Sequence, residues 1–135
     1  MPEKQTLISY RLQRARETLE EAKILLEAGH ANAYVNRLYY ACFYAVSALL
    51  LTRNLSTSKH RHLRALLHQD YVKTGLVSEQ IGKHFDLLFD SRHEGDYEDL
   101  VLFETEKVRP WLEPTRAFVD QIATLVEQEI RRQVP

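Results

Sequence analysis

The chain has 135 residues, 44% of them hydrophobic, and its 18 basic and 19 acidic side chains leave a formal net charge of −1. That length buries the core of one domain, here residues 1–135, and the near-zero charge excludes an argument from bulk basicity to nucleic acid. A single cysteine, Cys42, excludes an intramolecular disulfide, and with no leader-like start at Met1-Pro2-Glu3-Lys4-Gln5 and no apolar run of bilayer length, the sequence predicts a soluble cytoplasmic protein.

The periodicity is helical nearly throughout. Ile8, Leu12, Ala15, Leu19, Ala22 and Leu26 step by fours and threes between charged residues, which predicts a first helix with one apolar stripe, closed by Gly29. The second helix, about Asn32 to Arg53, is apolar in almost every direction, from Tyr34 and Val35 through Leu51. Such a helix lies at the centre of a domain or also meets a second subunit. Asn54 breaks the pattern, and the Ser56-Thr57-Ser58 cluster offers an N-cap to a third helix over about Lys59 to Thr74, ending at Gly75, with Leu63, Leu66, Leu67 and Tyr71 inward.

Ser78 is placed to cap a fourth helix running to about Ser91, with Ile81, Phe85, Leu88 and Phe89 on its inner face and a loop around Gly95 beyond it. A last helix spans about Glu104 to Arg132, its core face formed by Leu112, Val119, Ile122, Val126 and Ile130. Pro110 and Pro114 predict a kink, or a short preliminary helix, at its start. No period-two alternation bounded by hairpin turns competes. These lengths and short connections predict an all-α, antiparallel up-and-down bundle of four main helices plus a shorter one.

Charge is distributed less evenly than its total suggests. Arg53, Lys59, Arg61, Arg64 and Lys73 form a basic block with three interleaved histidines, followed by an acidic block from Asp86 to Glu106. The two either build a basic groove beside an acidic wall or neutralise each other, within one molecule or across a dimer. No metal is expected: His60 and His62 point to different helix faces, and the one Glu-x-x-His pair, Glu27 and His30, straddles the Gly29 stop. No glycine-rich nucleotide loop is present and no cofactor is expected. Cys42, in the most apolar helix, reads as a buried, inert thiol.

The segment Ser91-Arg92-His93-Glu94-Gly95-Asp96-Tyr97 is chemically the richest. Arginine grips phosphate through two parallel hydrogen bonds, and Asp and Tyr can orient it; the same residues can also simply bridge across a turn. Arg37, Tyr40 and Tyr44 share a face of the second helix. An arginine in so apolar a helix needs an acceptor, which a carboxylate such as Asp96 or a ligand phosphate would supply. Lys59 and His60 stand near a helix N-terminus, where an anion is favoured.

Together, Asn36-Arg37-Leu38-Tyr39-Tyr40-Ala41-Cys42-Phe43-Tyr44-Ala45, Ser58-Lys59-His60, Val72-Lys73-Thr74-Gly75-Leu76 and Arg92-x-x-x-Asp96-Tyr97 resemble, in order, the motifs of a bacterial and archaeal branch of the HEPN superfamily. The resemblance extends from the first helix to about Val126. It implies a helical bundle, usually a homodimer, in a superfamily whose members bind nucleotides or RNA. Many are metal-independent endoribonucleases built on Arg-x(4 to 6)-His, in which the arginine holds the scissile phosphate and the histidine moves protons. Others pair with minimal nucleotidyltransferases as toxin and antitoxin, a tyrosine accepting AMP.

This chain departs from the nuclease pattern. Arg92 is followed at once by His93, Asp96 stands near the place of the histidine, and Tyr44 follows Phe43 where relatives often have His. The resemblance implies nucleotide or RNA binding by Arg37, Tyr40, Lys59, His60, Arg92 and Asp96, with Tyr97 as AMP acceptor. The expected function is a nucleotide- or RNA-binding member of a toxin–antitoxin-like pair with a minimal nucleotidyltransferase. The alternative is a metal-independent ribonuclease using Arg92 with His93 or Tyr97.

Overall fold

The computed structural model describes residues 2–97 and 102–133, with the side chains of Pro2 and of residues 93–97 outside the description. Helix α1 (Pro2–Glu27) and helix α2 (Ala31–Leu51) form an antiparallel pair. They are joined where Gly29 takes φ +80°, a left-handed backbone that costs glycine little. A short helix α3 (His60–Leu67) runs into a π-helical turn (His68–Val72), and α4 (Glu79–Tyr97), α5 (Thr105–Val108) and α6 (Leu112–Gln133) complete the chain. No strand occurs among the described residues. The four long helices form the expected all-α bundle, with α3 as its shorter member.

Helix α2 is the central element. It packs against α1, α4 and α6, and Tyr34, Leu38, Tyr39, Ala41, Cys42, Ala45, Val46, Ala48 and Leu49 are wholly buried. Those three neighbours cover most of the apolar circumference within one chain. What stays half-buried is a stripe of Tyr40, Phe43 and Tyr44, and it is on this stripe that the candidate site lies.

Three boundaries differ from the sequence-based expectation. The third helix is not regular to Thr74: its last turn widens to a π turn that lays His68 and Val72 against Gly82 of α4. A Cβ on Gly82 would stand 3.0 Å from both side chains, so the close approach depends on glycine. The Ser56-Thr57-Ser58 cluster does not supply the α3 N-cap; Lys59 does, without a side-chain cap bond, while Thr57 Oγ1 accepts the Lys59 amide at 3.1 Å. Helix α4 continues through Gly95 to Tyr97 rather than yielding to a loop near Ser91. One glycine costs a helix only about 1 kcal/mol, and no proline follows to stop it.

The proline pair acts as expected of a short preliminary helix: α5 passes through a 3₁₀ turn (Arg109–Trp111) before α6 begins. This region is tied to α2 by the Tyr34 hydroxyl, which lies 2.9 Å from the Val108 carbonyl and 3.2 Å from that of Arg109, and by Asn32 Oδ1, which accepts the Phe103 amide at 2.8 Å. Burial pushes the Tyr34 hydroxyl up to about 12, keeping it a donor. Ser78 caps α4 as its position implies, accepting the Ile81 amide at 3.3 Å. The basic and acidic blocks meet within the molecule: Arg64 pairs with Asp90 at 3.5 Å and His68 with Asp86 at 2.9 Å.

Candidate functional site

Arg92, on α4, reaches across to α2. Its Nη2 donates to the Tyr40 hydroxyl at 3.0 Å, and its guanidinium lies 5.5 Å from the Tyr39 ring centroid and 5.4 Å from that of Tyr40. Arg37, one turn before Tyr40, covers the same ring at 5.1 Å. Both arginines line one cleft of about 310 Å³, whose other walls come from Leu25, Asn32, Ser91 and Phe103. Two planar five-donor cations at one opening form a geometry suited to an anion with several oxygens, above all a phosphate.

The described acceptors of Arg37 are Asn36 and Glu21. Its Nε and Nη2 donate to Asn36 Oδ1 at 3.2 and 2.8 Å, and its Nη1 stands 3.6 Å from Glu21 of α1. The adjacent side-chain amide and a carboxylate on the neighbouring helix thus serve this arginine, while the Asp96 side chain lies outside the described residues. Glu21 is a residue that sequence reasoning missed. Its signal is faint, since nothing in the chain links positions 21 and 37 until α1 and α2 pair.

His60 joins the same cluster from the start of α3. Its Nδ1 lies 2.7 Å from the Tyr39 hydroxyl, its ring stacks on Phe43 at 4.5 Å, and it meets Tyr40 edge-on at 5.8 Å. Tyr39 is fully buried, and burial raises its hydroxyl far above the ordinary tyrosine range. It therefore stays a neutral phenol that fixes the imidazole. Arg92 and His60, 32 positions apart, both rest against Tyr39 and Tyr40. Lys59 is exposed beside them.

His93, Asp96 and Tyr97 belong to the last turns of α4, and their side chains lie outside the described residues. Arg37, Tyr40, His60 and Arg92 are brought together; Lys59 flanks them. Among the described residues no group of three metal-ligating side chains occurs. Cys42 is buried, and burial raises its thiol well above the ordinary range, as expected of an inert cysteine. No helix among the described residues is long and apolar enough to cross a membrane.

Residues 8–125 match the HEPN domain family. The chain belongs to the HEPN family. This HEPN chain is 46% identical over 127 residues to a UPF0332 protein of Thermotoga maritima, a match covering 94% of the chain and 96% of that relative. It is 24% identical over 110 residues, 82% of the chain and 75% of the relative, to a Methanocaldococcus jannaschii protein bearing the name "Putative toxin MJ0142". The crystal structure of the Thermus thermophilus protein TT1696 has the same fold, with a TM-score of 0.67 at 20% identity, covering 90% of this chain and 97% of that one.

Proposed function

We propose that this HEPN chain is a cytoplasmic nucleotide- and RNA-binding protein, acting as a homodimer in a toxin–antitoxin-like pair with a minimal nucleotidyltransferase. The observation that carries the binding role is Arg92, aimed by the Tyr40 hydroxyl at the cleft that Arg37 also lines. A guanidinium already oriented loses less freedom on gripping a phosphate than one free in solvent. The family membership and the toxin name of the Methanocaldococcus relative support the paired role.

Binding of a fluorescein-labelled oligoribonucleotide and of ATP, followed by anisotropy and calorimetry, tests this. Arg92→Ala weakens both, and the loss shrinks as salt rises because the contact is electrostatic. Unchanged affinity in a folded Arg92→Ala protein refutes the binding role. For the pairing, incubation with a minimal nucleotidyltransferase and ATP adds AMP to the wild type and not to Tyr97→Phe.

One observation favours the second reading, a metal-independent ribonuclease. The histidine missing downstream of Arg92 has a counterpart in space, since His60 shares the Tyr39 and Tyr40 rings with Arg92. In such an enzyme His60 moves the proton and Arg92 holds the phosphate. Cleavage of RNA in EDTA, abolished by His60→Ala and retained in His93→Ala, is its signature.

A further inference from the structure

A second cleft, of about 460 Å³, opens on the far side of His60 between α1, α2 and the segment before α3. Arg11 and Arg14 line it, with Tyr10, Tyr44 and the hydroxyls of Ser56, Thr57 and Ser58. Tyr10 is 58% exposed. Arg11 makes no ion pair among the described residues, whereas Arg14 covers the Tyr44 ring at 5.3 Å.

The two clefts have no lining residue in common, and a row of α2 rings lies between them. Tyr40 and Tyr44, one helical turn apart on α2, stand 6.2 Å from ring to ring, and Phe43 lies about as close to each, at 5.9 and 6.3 Å. Arginines lie against both tyrosines, Arg37 and Arg92 on Tyr40 and Arg14 on Tyr44. Glu21 lies between these two cations, one carboxylate oxygen 3.6 Å from Arg37 and the other 3.5 Å from Arg14. An anion therefore already occupies the middle of a line of arginines running beside a line of aromatic rings.

We infer that the two clefts form one track for single-stranded RNA several nucleotides long, with Arg37 and Arg92 holding phosphate at one end and Arg11 and Arg14 at the other. Aromatic faces beside a cationic groove are the general means of holding unpaired bases, since every base has a face to stack. The three hydroxyls of the second cleft add partners for ribose. Glu21 holds Arg14 and Arg37 where a bridging phosphate competes for them, so it weakens binding while ordering the track. This inference rests on the nucleic-acid reading and extends it from a single phosphate to a strand.

The test compares fluorescein-labelled di- and octauridylate by anisotropy at low salt, using the full chain. The octamer binds at least about tenfold tighter than the dimer, the order of one or two stacked bases and added phosphate contacts. Tyr10→Ala with Arg11→Ala lowers octamer affinity about tenfold and leaves the dimer unaffected. Glu21→Gln tightens the octamer several-fold. Tyr10 is exposed and Arg11 half-exposed, so their replacement leaves the fold intact, which circular dichroism verifies.

Equal affinity for the two lengths, or an unchanged octamer affinity in the Tyr10/Arg11 variant while Arg92→Ala weakens both probes, overturns the track and leaves the phosphate site standing. If Arg92→Ala changes neither probe, the underlying reading fails instead. A Tyr10/Arg11 variant that alters the oligomeric mass by light scattering with no effect on the octamer assigns this face to a second copy of the chain and overturns the inference.

Discussion

Replacing Tyr40 by phenylalanine removes one oxygen and leaves the ring, which isolates the bond that aims Arg92. The bond measures 3.0 Å between two half-buried groups. A buried hydrogen bond to a charged group contributes about 1.5–3 kcal/mol, and partial exposure reduces this to about 1 kcal/mol. Tyr40→Phe is therefore expected to destabilise the protein by about 1 kcal/mol, a few degrees in Tm for a chain of this size. Arg92→Ala loses the same bond plus its packing on the Tyr39 and Tyr40 rings, and costs about 1.5–2 kcal/mol. The double variant costs little more than Arg92→Ala alone, a coupling of about 1 kcal/mol measured by urea unfolding of the four proteins. Tyr40→Phe also weakens RNA binding, since Arg92 is no longer held toward the cleft. Additive losses, with coupling below about 0.3 kcal/mol, refute the reasoning.

Gly82→Ala places a Cβ 3.0 Å from the His68 ring and from Val72. Crowding of about 1–3 kcal/mol outweighs a helix-propensity gain of about 1 kcal/mol, so Tm falls, and His68→Ala in the same chain recovers part of the loss. A Gly82→Ala protein as stable as wild type contradicts the close approach. His84 gives a pH signature. Its Nε2 lies 2.8 Å from Thr115 Oγ1, whose own proton goes to the Trp111 carbonyl at 2.7 Å, so the neutral imidazole carries its hydrogen on Nε2. Burial lowers its pKa below the ordinary 6.5; the unfolded chain then binds the proton more readily, and this contribution to stability is present above pH 6.5 and lost as pH falls through the folded-state value. Urea midpoints at pH 7.5 and 5.0 should differ more for wild type than for His84→Gln, and parallel shifts in the two proteins rule this out.

Features that depend on neighbours in sequence were legible from it. The α1 stripe, the Gly29 and Gly75 stops with their positive φ, the Ser78 cap and the proline-split start of α6 follow from periodicity and local backbone chemistry. The central place of α2 followed from its apolar circumference. Features that depend on distant segments were not legible from spacing alone. Arg92 and Tyr40 are separated by 52 positions and Tyr39 and His60 by 21; the resemblance named Arg92, Tyr40 and His60 together, but the buried Tyr39 that links His60 to Arg92 has no signal along the chain. The π turn has no signature in its own residues, and what it packs against, Gly82, lies on another helix. That Arg37 needs an acceptor was legible, but not that Asn36 and Glu21 of α1 would supply it, because charge patterns along a chain do not show which helices will touch.

Tyr39 has no accessible surface, yet its ring supports Arg92 and its hydroxyl fixes His60. The support beneath Arg92 and His60 is thus made from the domain's own interior, and a change there is punished as misfolding before any ligand is encountered. Arg37, Tyr40, Tyr44 and Arg92 stand above that support with part of their surface in water. On the proposed reading, a substitution at this rim changes what the protein grips while leaving the seat beneath it, and so the fold, in place.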